Sequence, residues 1–316
     1  MKKLSLYLLV VCSFVIITST ILFKLCNEGL RRVPFEEFGK LNEIMAGTTP
    51  YDLLIMGNSR SLLHVSPYIL DSALHTNAYN MGTIDGSLNA DLALLHAYLD
   101  HHDAPRYLLM NFDWWLPTDT LIRNEPFDYP KFYPYLDNKW VKKYLIPHSP
   151  QMKKVNTLPF LGLINYDDYK RTAALRGWTK SQRTVDVYKK GYFNRNAKFT
   201  GKDPKDTPPM KDCTFSDEGI RELDELFTLC NEKNITIFVF IAPGYRINEQ
   251  LKVRQQDRDQ LQQLMKLRHV VFFQDYSLRD EFLAPSWYCD AHHLNKEGAE
   301  YFSRIIAHEI EGFIHQ

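Results

Sequence analysis

Residues 53–60 read Leu-Leu-Ile-Met-Gly-Asn-Ser-Arg. The four apolar residues belong to a run from Tyr51 to Met56 that predicts a buried strand, because a strand covered on both faces needs no polar side. The turn that follows carries Ser59 just beyond the carboxyl end of this strand. Open α/β sheets bind their ligands at that end of the strands. Ser59 is therefore the first candidate for a functional residue.

Strand and helix patterns alternate on both sides of a long irregular region. The predicted strands are 51–56, 78–81, 106–112, 235–242 and 270–273. The predicted helices are 66–74, 88–99, 216–231, 247–267 and 295–314. Strands that alternate with helices indicate a parallel sheet covered on both faces. We therefore predict an α/β fold with a five-stranded, doubly wound, flavodoxin-like sheet.

The N-terminus predicts a membrane anchor. From Leu4 to Phe23 the chain has twenty residues without a charge, and about 20 apolar residues span a bilayer core as a helix. We assign residues 1–26 to the anchor and 27–50 to a juxtamembrane segment. An Ala-x-Ala cleavage pattern does not follow, which favours an uncleaved anchor over a cleaved secretory signal.

The charges that flank the anchor decide little about its orientation. Lys2 and Lys3 precede the apolar stretch, while Lys24, Arg31 and Arg32 follow it, so the positive-inside rule is nearly balanced. A short N-terminal anchor commonly serves export. We therefore predict a single-pass protein that contacts the membrane through this helix and holds its globular domain in the periplasm or outside the cell.

Charge and cysteine content limit the classes of ligand. The 316 residues include 38 Lys and Arg and 38 Asp and Glu, so the formal net charge is zero and does not indicate a nucleic-acid partner. The five cysteines show neither CxxC nor any other metal-ligand spacing, so we expect no metal and no cofactor. The chain also lacks the GxGxxG pattern of dinucleotide sites, which argues against the weaker alternative of a nucleotide or phosphate binder.

Residues 114–212 differ from the rest of the chain in composition. They contain 19 Lys and Arg against 10 Asp and Glu, and 17 of these 99 residues are aromatic. We interpret this region as an insertion into the sheet domain. It is either an irregular structural cap with a basic face, or a lid or groove for an anionic or glycan-like ligand. Aromatic faces stack on sugars, and cations meet carboxylate or phosphate.

A carboxylate and an imidazole that can activate Ser59 occur near the C-terminus. Asp290 and His293 lie three residues apart, directly before a predicted helix. A serine hydroxyl needs a base to take its proton, and a carboxylate holds that imidazole in the right tautomer. Alternatives stay open: His292 as the base, or Ser59 as a simple helix cap. His64 is expected at the surface.

These blocks resemble the SGNH hydrolases, also called the GDSL-like esterase superfamily. The family's Gly-Asp-Ser block corresponds to Gly57-Asn58-Ser59, with Asn in place of Asp as in envelope-associated members. The family's second block corresponds to residues 80–86, and its final Asp-x-x-His corresponds to residues 290–293. The resemblance covers 51–113 and 213–316, which we assign to one catalytic domain.

The resemblance implies a role for each residue of the site. Ser59 is the expected nucleophile, His293 the base and Asp290 the group that orients the base. The backbone amides of Ser59 and Gly86 are the expected oxyanion donors.

The family's third block, Gly-x-Asn-Asp after the third strand, is altered in this sequence. Asp113 occupies the approximate place of the oxyanion asparagine, and Asn111 lies two residues earlier. An ionised carboxylate cannot donate a hydrogen bond, so Asn111 or Arg60 replaces the missing donor, or only backbone amides remain. Arg60, Asp113, Trp114 and Trp115 are candidate substrate contacts. Alternatively, Arg60 pairs structurally with Asp85 or Asp113.

What is known of the family suggests a function. We expect a membrane-anchored, SGNH-like serine esterase or O-acyltransferase that acts on acyl esters of cell-envelope glycans, with acetyl the expected group. The expected partners are an envelope glycan or acylated sugar, with a membrane-bound acyltransferase as a further candidate. The alternative is a catalytically silent protein of the same fold that binds or assembles envelope polysaccharide.

Overall fold

The structure is a computed structural model that describes residues 2–118, 128–180, 188–201, 214–245 and 253–314. The chain divides into two compact units. We call residues 1–47 and 128–186 the anchor unit, and residues 48–127 and 187–316 the sheet unit. The predicted insertion 114–212 therefore contributes residues to both units, and the predicted anchor shares a unit with the middle of that insertion.

Five parallel strands form one sheet in the sheet unit. They are β1 (Leu53–Met56), β2 (Ala78–Asn80), β3 (Tyr107–Asn111), β4 (Thr236–Ile241) and β5 (Phe272–Asp275). Their order is β2-β1-β3-β4-β5, which is the flavodoxin-like order. All four residues of β1 are fully buried, as expected for a strand covered on both faces. The predicted fold class is confirmed.

Ten α-helices occur in the described part of the chain. In chain order they are α1 (Lys2–Arg31), α2 (Glu36–Ala46), α3 (Ser59–His64), α4 (Pro67–Leu74), α5 (Leu88–Leu99), α6 (Pro150–Thr157), α7 (Asp168–Thr179), α8 (Asp217–Glu232), α9 (Gln255–Leu267) and α10 (Lys296–Ile314). The start of the helix predicted at 247–267 lies outside the described residues, and β5 begins two residues later than predicted.

Two serine caps explain where α5 and α8 begin. Ser87 accepts a hydrogen bond from the Ala90 N–H at 3.4 Å, and Ser216 accepts one from the Gly219 N–H at 3.0 Å. Such caps satisfy backbone donors that have no partner inside the helix. Helix α3 also has a cap, but the capping residue is Asn58, whose side chain accepts from the Arg60 N–H at 3.0 Å. Ser59 is the first residue of α3 and is not its cap, so its hydroxyl is not consumed in capping.

The anchor unit contains a helix that is long and apolar enough to cross a membrane. Helix α1 runs without interruption from Lys2 to Arg31. Its C-terminal half packs closely on α7, where a side chain on Gly29 would overlap the backbone of Ala174. This agrees with a single-pass anchor by length and composition.

Candidate active site

The turn between β1 and α3 presents Ser59 to the C-terminal imidazole. Gly57 has φ of +124°, and a Cβ atom there would lie 2.7 Å from Ser61 Oγ and 2.8 Å from the Asn111 carbonyl oxygen. Only glycine tolerates this backbone conformation and this space. The turn places Ser59 Oγ 2.8 Å from His293 Nε2, although 234 positions separate the two residues. The sequence-predicted nucleophile and base therefore lie within hydrogen-bonding distance.

Asp290 holds the other side of the same imidazole. Its carboxylate oxygens lie 2.9 and 3.0 Å from His293 Nδ1. A carboxylate at Nδ1 favours the tautomer that carries a proton on Nδ1, which leaves the Nε2 lone pair free to accept from Ser59 Oγ–H. Ser59, His293 and Asp290 thus form a continuous hydrogen-bonded chain with the geometry of a serine triad.

The Asp290 carboxylate stays ionised in this setting. Partial burial acts to raise its pKa, but the His293 ring and the N–H groups of His292 and His293 outweigh burial and hold the pKa well below its usual range. Both N–H groups donate to Asp290 Oδ1 at 2.9 Å. Residues 290–293 therefore fold into a tight turn around the carboxylate, which follows from the three-residue spacing. In this turn His293 lies against Ser59 Oγ, while His292 contributes its backbone N–H.

Arg195 also contacts the triad, and sequence reasoning missed it. Its Nη1 lies 3.3 Å from Asp290 Oδ2, and its carbonyl accepts the Lys296 N–H at 2.8 Å. Arg195 therefore shares Asp290 Oδ2 with His293 Nδ1, which lies 3.0 Å from the same oxygen. Nothing in the sequence singled out Arg195, because it is one of 19 Lys and Arg residues in the insertion 114–212.

The altered third block forms a buried polar network. Asn58 Nδ2 donates to Asp113 Oδ2, and Arg60 Nη2 lies 2.5 Å from Asp113 Oδ1. Asn111 Nδ2 lies 3.3 Å from Asn58 Oδ1 and 3.2 Å from Asp113 Oδ2, while its oxygen accepts the Ala242 N–H at 2.9 Å. The network joins the ends of β1, β3 and β4 beneath Ser59.

This network corrects two predictions. The Asn111 amide is fully buried and its polar atoms bond within the protein, so we do not assign it to an oxyanion hole. Arg60 is 3% exposed and Asp113 is fully buried, so neither is a substrate contact. Arg60 was predicted either to bind substrate or to pair with Asp85 or Asp113; in the structure it pairs with Asp113. The guanidinium carbon also lies 4.4 Å from the ring centre of Trp115.

The two tryptophans after β3 differ in exposure. Trp114 is buried, and its ring stacks on Phe215 with 6.3 Å between centroids, which corrects its prediction as a substrate contact. Trp115 is half-buried and covers Arg60. It stays a predicted substrate contact.

Gly86 lies against the turn between β1 and α3 that carries Ser59. A Cβ atom on Gly86 would be 2.9 Å from Asn58 Cα, so glycine permits the close approach. The Gly86 N–H lies 3.3 Å from the Thr83 carbonyl and is partly used in that turn. Ser59 begins a helix, where a backbone N–H has no acceptor inside the helix. Backbone amides at Ser59 and Gly86 therefore remain the predicted oxyanion donors.

His64 is buried against the turn of residues 290–293, which corrects its expected surface position. Its Nε2 accepts the Leu294 N–H at 3.0 Å, and its ring centre is 6.2 Å from that of His293. Burial, followed by the charge of His293, lowers the pKa of His64 well below its usual value. A neutral His64 therefore holds Leu294, the residue that follows His293.

We expect His64→Gln to flatten the acid dependence of stability. The folded pKa lies below the unfolded value, so below about pH 6.5 the unfolded chain binds a proton that the folded chain does not. As the pH falls below that value, the protonation of His64 in the unfolded chain should lower the free energy of unfolding of the wild type by up to about 1.4 kcal/mol per pH unit. Thermal unfolding of both proteins in detergent between pH 7 and pH 5 measures the slopes. Equal slopes would contradict a buried neutral His64.

Asp91 of α5 is a second buried ionisable group beside the turn that carries Ser59. Its side chain is fully buried, and its carboxylate has at most a weak interaction with the Gly57 N–H among the described residues. Burial raises its pKa to about 8, and the nearby Gly57 N–H offsets this only in part. The side chain is therefore largely protonated at neutral pH.

Asp91→Asn is expected to stabilise the protein increasingly as pH rises. The folded pKa lies above the unfolded one, so wild-type stability decreases between about pH 4 and pH 8, on the order of 1 kcal/mol per pH unit. Asparagine removes this ionisation. Urea unfolding should show that the free energy of unfolding of the variant exceeds that of the wild type by more at pH 8 than at pH 5.5. A gap independent of pH would contradict the prediction.

Comparison with known proteins finds a weak structural likeness. No protein-family model and no curated protein matches the chain. Among solved structures, the chain is similar to a "putative acylhydrolase" from Bacteroides fragilis, with 11% identity, a TM-score of 0.38, and coverage of 83% of this chain and 87% of that one. A likeness this low carries no argument, so the function has to be argued from the site.

Proposed function

We propose that the protein is a membrane-anchored, SGNH-like serine esterase or O-acyltransferase that acts on acetyl or similar acyl esters of cell-envelope glycans. One observation carries the proposal: Ser59 Oγ, His293 and Asp290 lie in one hydrogen-bonded chain, with heavy-atom separations of 2.8 and 2.9 Å. An arrangement of this kind is what a serine hydroxyl needs to act as a nucleophile at neutral pH.

The proposed reaction proceeds through an acyl-enzyme. Ser59 Oγ forms a bond to the ester carbonyl carbon while His293 Nε2 takes the hydroxyl proton. Backbone N–H groups at Ser59 and Gly86 stabilise the negative charge on the carbonyl oxygen. The tetrahedral intermediate then expels the alcohol, which receives the proton from His293. Water or a sugar hydroxyl attacks the acyl-Ser59 ester in the second half, and Asp290 keeps His293 oriented throughout.

The C-terminal part of the insertion supports a substrate larger than a simple ester. Residues 188–201 run beside the site, because the Phe193 N–H approaches the Leu62 carbonyl at 3.4 Å and Arg195 reaches Asp290. Phe193 stacks on Tyr188, with centroids 5.1 Å apart and planes only 5° apart. Both rings are half-buried, and flat aromatic faces suit the apolar face of a sugar ring. An envelope glycan is thus the proposed partner, with a membrane-bound acyltransferase as a further proposed partner.

Acetyl release and acetyl transfer test the proposal together. The full chain in detergent is incubated with 4-nitrophenyl acetate, with and without a chito-oligosaccharide acceptor, and the products are measured by mass spectrometry. We expect acetate release or acetylated acceptor from wild type and neither from Ser59→Ala. Equal amounts from both proteins would favour the silent binding protein of the same fold.

A further inference from the structure

The anchor helix is covered by protein before its apolar stretch ends. The side chains from Leu4 to Ile17 are exposed, whereas Thr18 to Thr20 are partly covered and Phe23 is buried. Fourteen helical residues rise about 21 Å, which is short of the roughly 30 Å hydrocarbon core of a bilayer. The whole stretch to Phe23 is needed to span it. Ile21 and Leu22 stay exposed, and the protein that covers Phe23 therefore lies at the depth of the bilayer.

One short segment of the anchor unit packs at this depth. Gly162 faces the Phe23 ring so closely that a Cβ atom would overlap it. Gly162 belongs to residues 158–164, which read Leu-Pro-Phe-Leu-Gly-Leu-Ile and carry no polar side chain. We call residues 158–164 the apolar segment. Seven consecutive apolar residues are unusual for a loop in water.

The apolar segment exposes large side chains. Ile164 is 76% exposed and Leu158 is 45% exposed. At the same time two of its carbonyls accept local backbone hydrogen bonds: the Leu161 N–H donates to the Leu158 carbonyl at 3.0 Å, and the N–H of the nearby Tyr166 lies 3.3 Å from the Leu163 carbonyl. A lipid environment requires that apolar side chains face the lipid and that backbone N–H and C=O groups find hydrogen-bond partners within the protein.

Charged groups begin at Lys24, directly after the uncharged stretch. A cavity of about 440 Å³ opens in the anchor unit; Lys24, Glu28, Arg31 and Lys142 line it together with Phe23 and Pro159. The indole N–H of Trp178 donates to the Leu25 carbonyl at 2.9 Å. Charged side chains and tryptophan are enriched at the headgroup level of membranes. Along α1, the exposed apolar stretch comes first, then the level at which the apolar segment packs, and then the charged residues typical of the headgroup region.

We propose that the apolar segment is a second membrane contact, embedded beside the anchor helix with Leu158 and Ile164 against lipid acyl chains. Three observations favour a bilayer over a protein as the occupant. The segment is continuous with the exposed apolar surface of α1, it lies at the depth of the uncharged stretch, and the exposed Lys153 and Lys154 precede it. Lysines next to an apolar surface suit the phosphates of anionic lipids. The rest of the anchor unit would then be held at a fixed height at the membrane surface.

Photocrosslinking in a bilayer tests this contact. The full chain is reconstituted into vesicles of phosphatidylethanolamine and phosphatidylglycerol with p-benzoylphenylalanine in place of Ile164, or separately in place of Leu158. The matched control carries the same probe in place of Asp137, which is 71% exposed in the same unit and pairs with Arg31. Arg31 lies eight residues beyond Phe23, about 12 Å further along the helix.

The proposal predicts phospholipid adducts, identified by mass, at both apolar positions and in several-fold higher yield than at Asp137. Lipid yields at Ile164 and Leu158 no greater than at Asp137 would overturn it. Adducts at twice the chain mass in place of lipid adducts would also overturn it, because a second copy would then cover the segment. The readout does not involve Ser59, so it succeeds or fails independently of the proposed catalysis.

Discussion

Replacing His293 by glutamine is expected to lower kcat for acyl-ester hydrolysis by on the order of 10⁵ to 10⁶-fold, the scale of loss when an established serine triad loses its base. His293 Nε2 lies 2.8 Å from Ser59 Oγ, and glutamine cannot take the hydroxyl proton at neutral pH. Turnover of 4-nitrophenyl acetate measures the loss, with circular dichroism to verify that the variant is folded.

His292→Gln is the matched control for this prediction. His292 is adjacent in sequence, but its ring centre is 6.3 Å from that of His293 and it contributes to the turn through its backbone N–H. We expect kcat close to wild type. A larger loss for His292→Gln than for His293→Gln would exchange the roles of the two residues.

Arg60→Met is expected to lower the free energy of unfolding by about 3–5 kcal/mol, the cost of breaking a buried ion pair from one side. The change leaves the Asp113 carboxylate buried beside Asn58, with its ionic partner gone. Methionine keeps much of the apolar contact with the Trp115 ring, so the loss reports on charge. Urea unfolding in detergent at constant pH measures the difference.

The double variant Arg60→Met with Asp113→Asn separates charge from packing. Its second change removes the uncompensated charge while an amide keeps polar atoms near Asn58 and Asn111. We expect the double variant to be more stable than Arg60→Met alone. If the two substitutions lower the free energy of unfolding additively, the loss comes from packing, and the uncompensated buried charge is not its cause.

The sheet could be predicted because its strands are short apolar runs bounded by turns. All four residues of β1 are apolar and buried, all five residues of β3 are buried, and in β4 only Thr236 is half-buried. Helix α3 could not be predicted in this way. It has six residues, too few for a helical period, and its cap is Asn58 rather than the serine beside it.

The site was predictable only where its residues belong to local blocks. Ser59 follows a strand, and Asp290 and His293 share one turn. Arg195, His64 and the role of Arg60 depend on packing between elements far apart in sequence, for which the chain carries no local signal. The insertion shows the same limit: composition marked residues 114–212, whereas packing groups residues 128–186 with the anchor.

The most direct test of Ser59 as an activated nucleophile is covalent labelling with a fluorophosphonate probe, which reacts with serines that a neighbouring base activates. The full chain in detergent is labelled at pH 7.5 and the modified residue is located by peptide mass spectrometry. The hydrogen-bonded chain from Ser59 to Asp290 predicts labelling at Ser59 in wild type, strong reduction in His293→Gln and none in Ser59→Ala. Equal labelling of wild type and Ser59→Ala, or an unmodified Ser59 in folded wild-type protein, would contradict it.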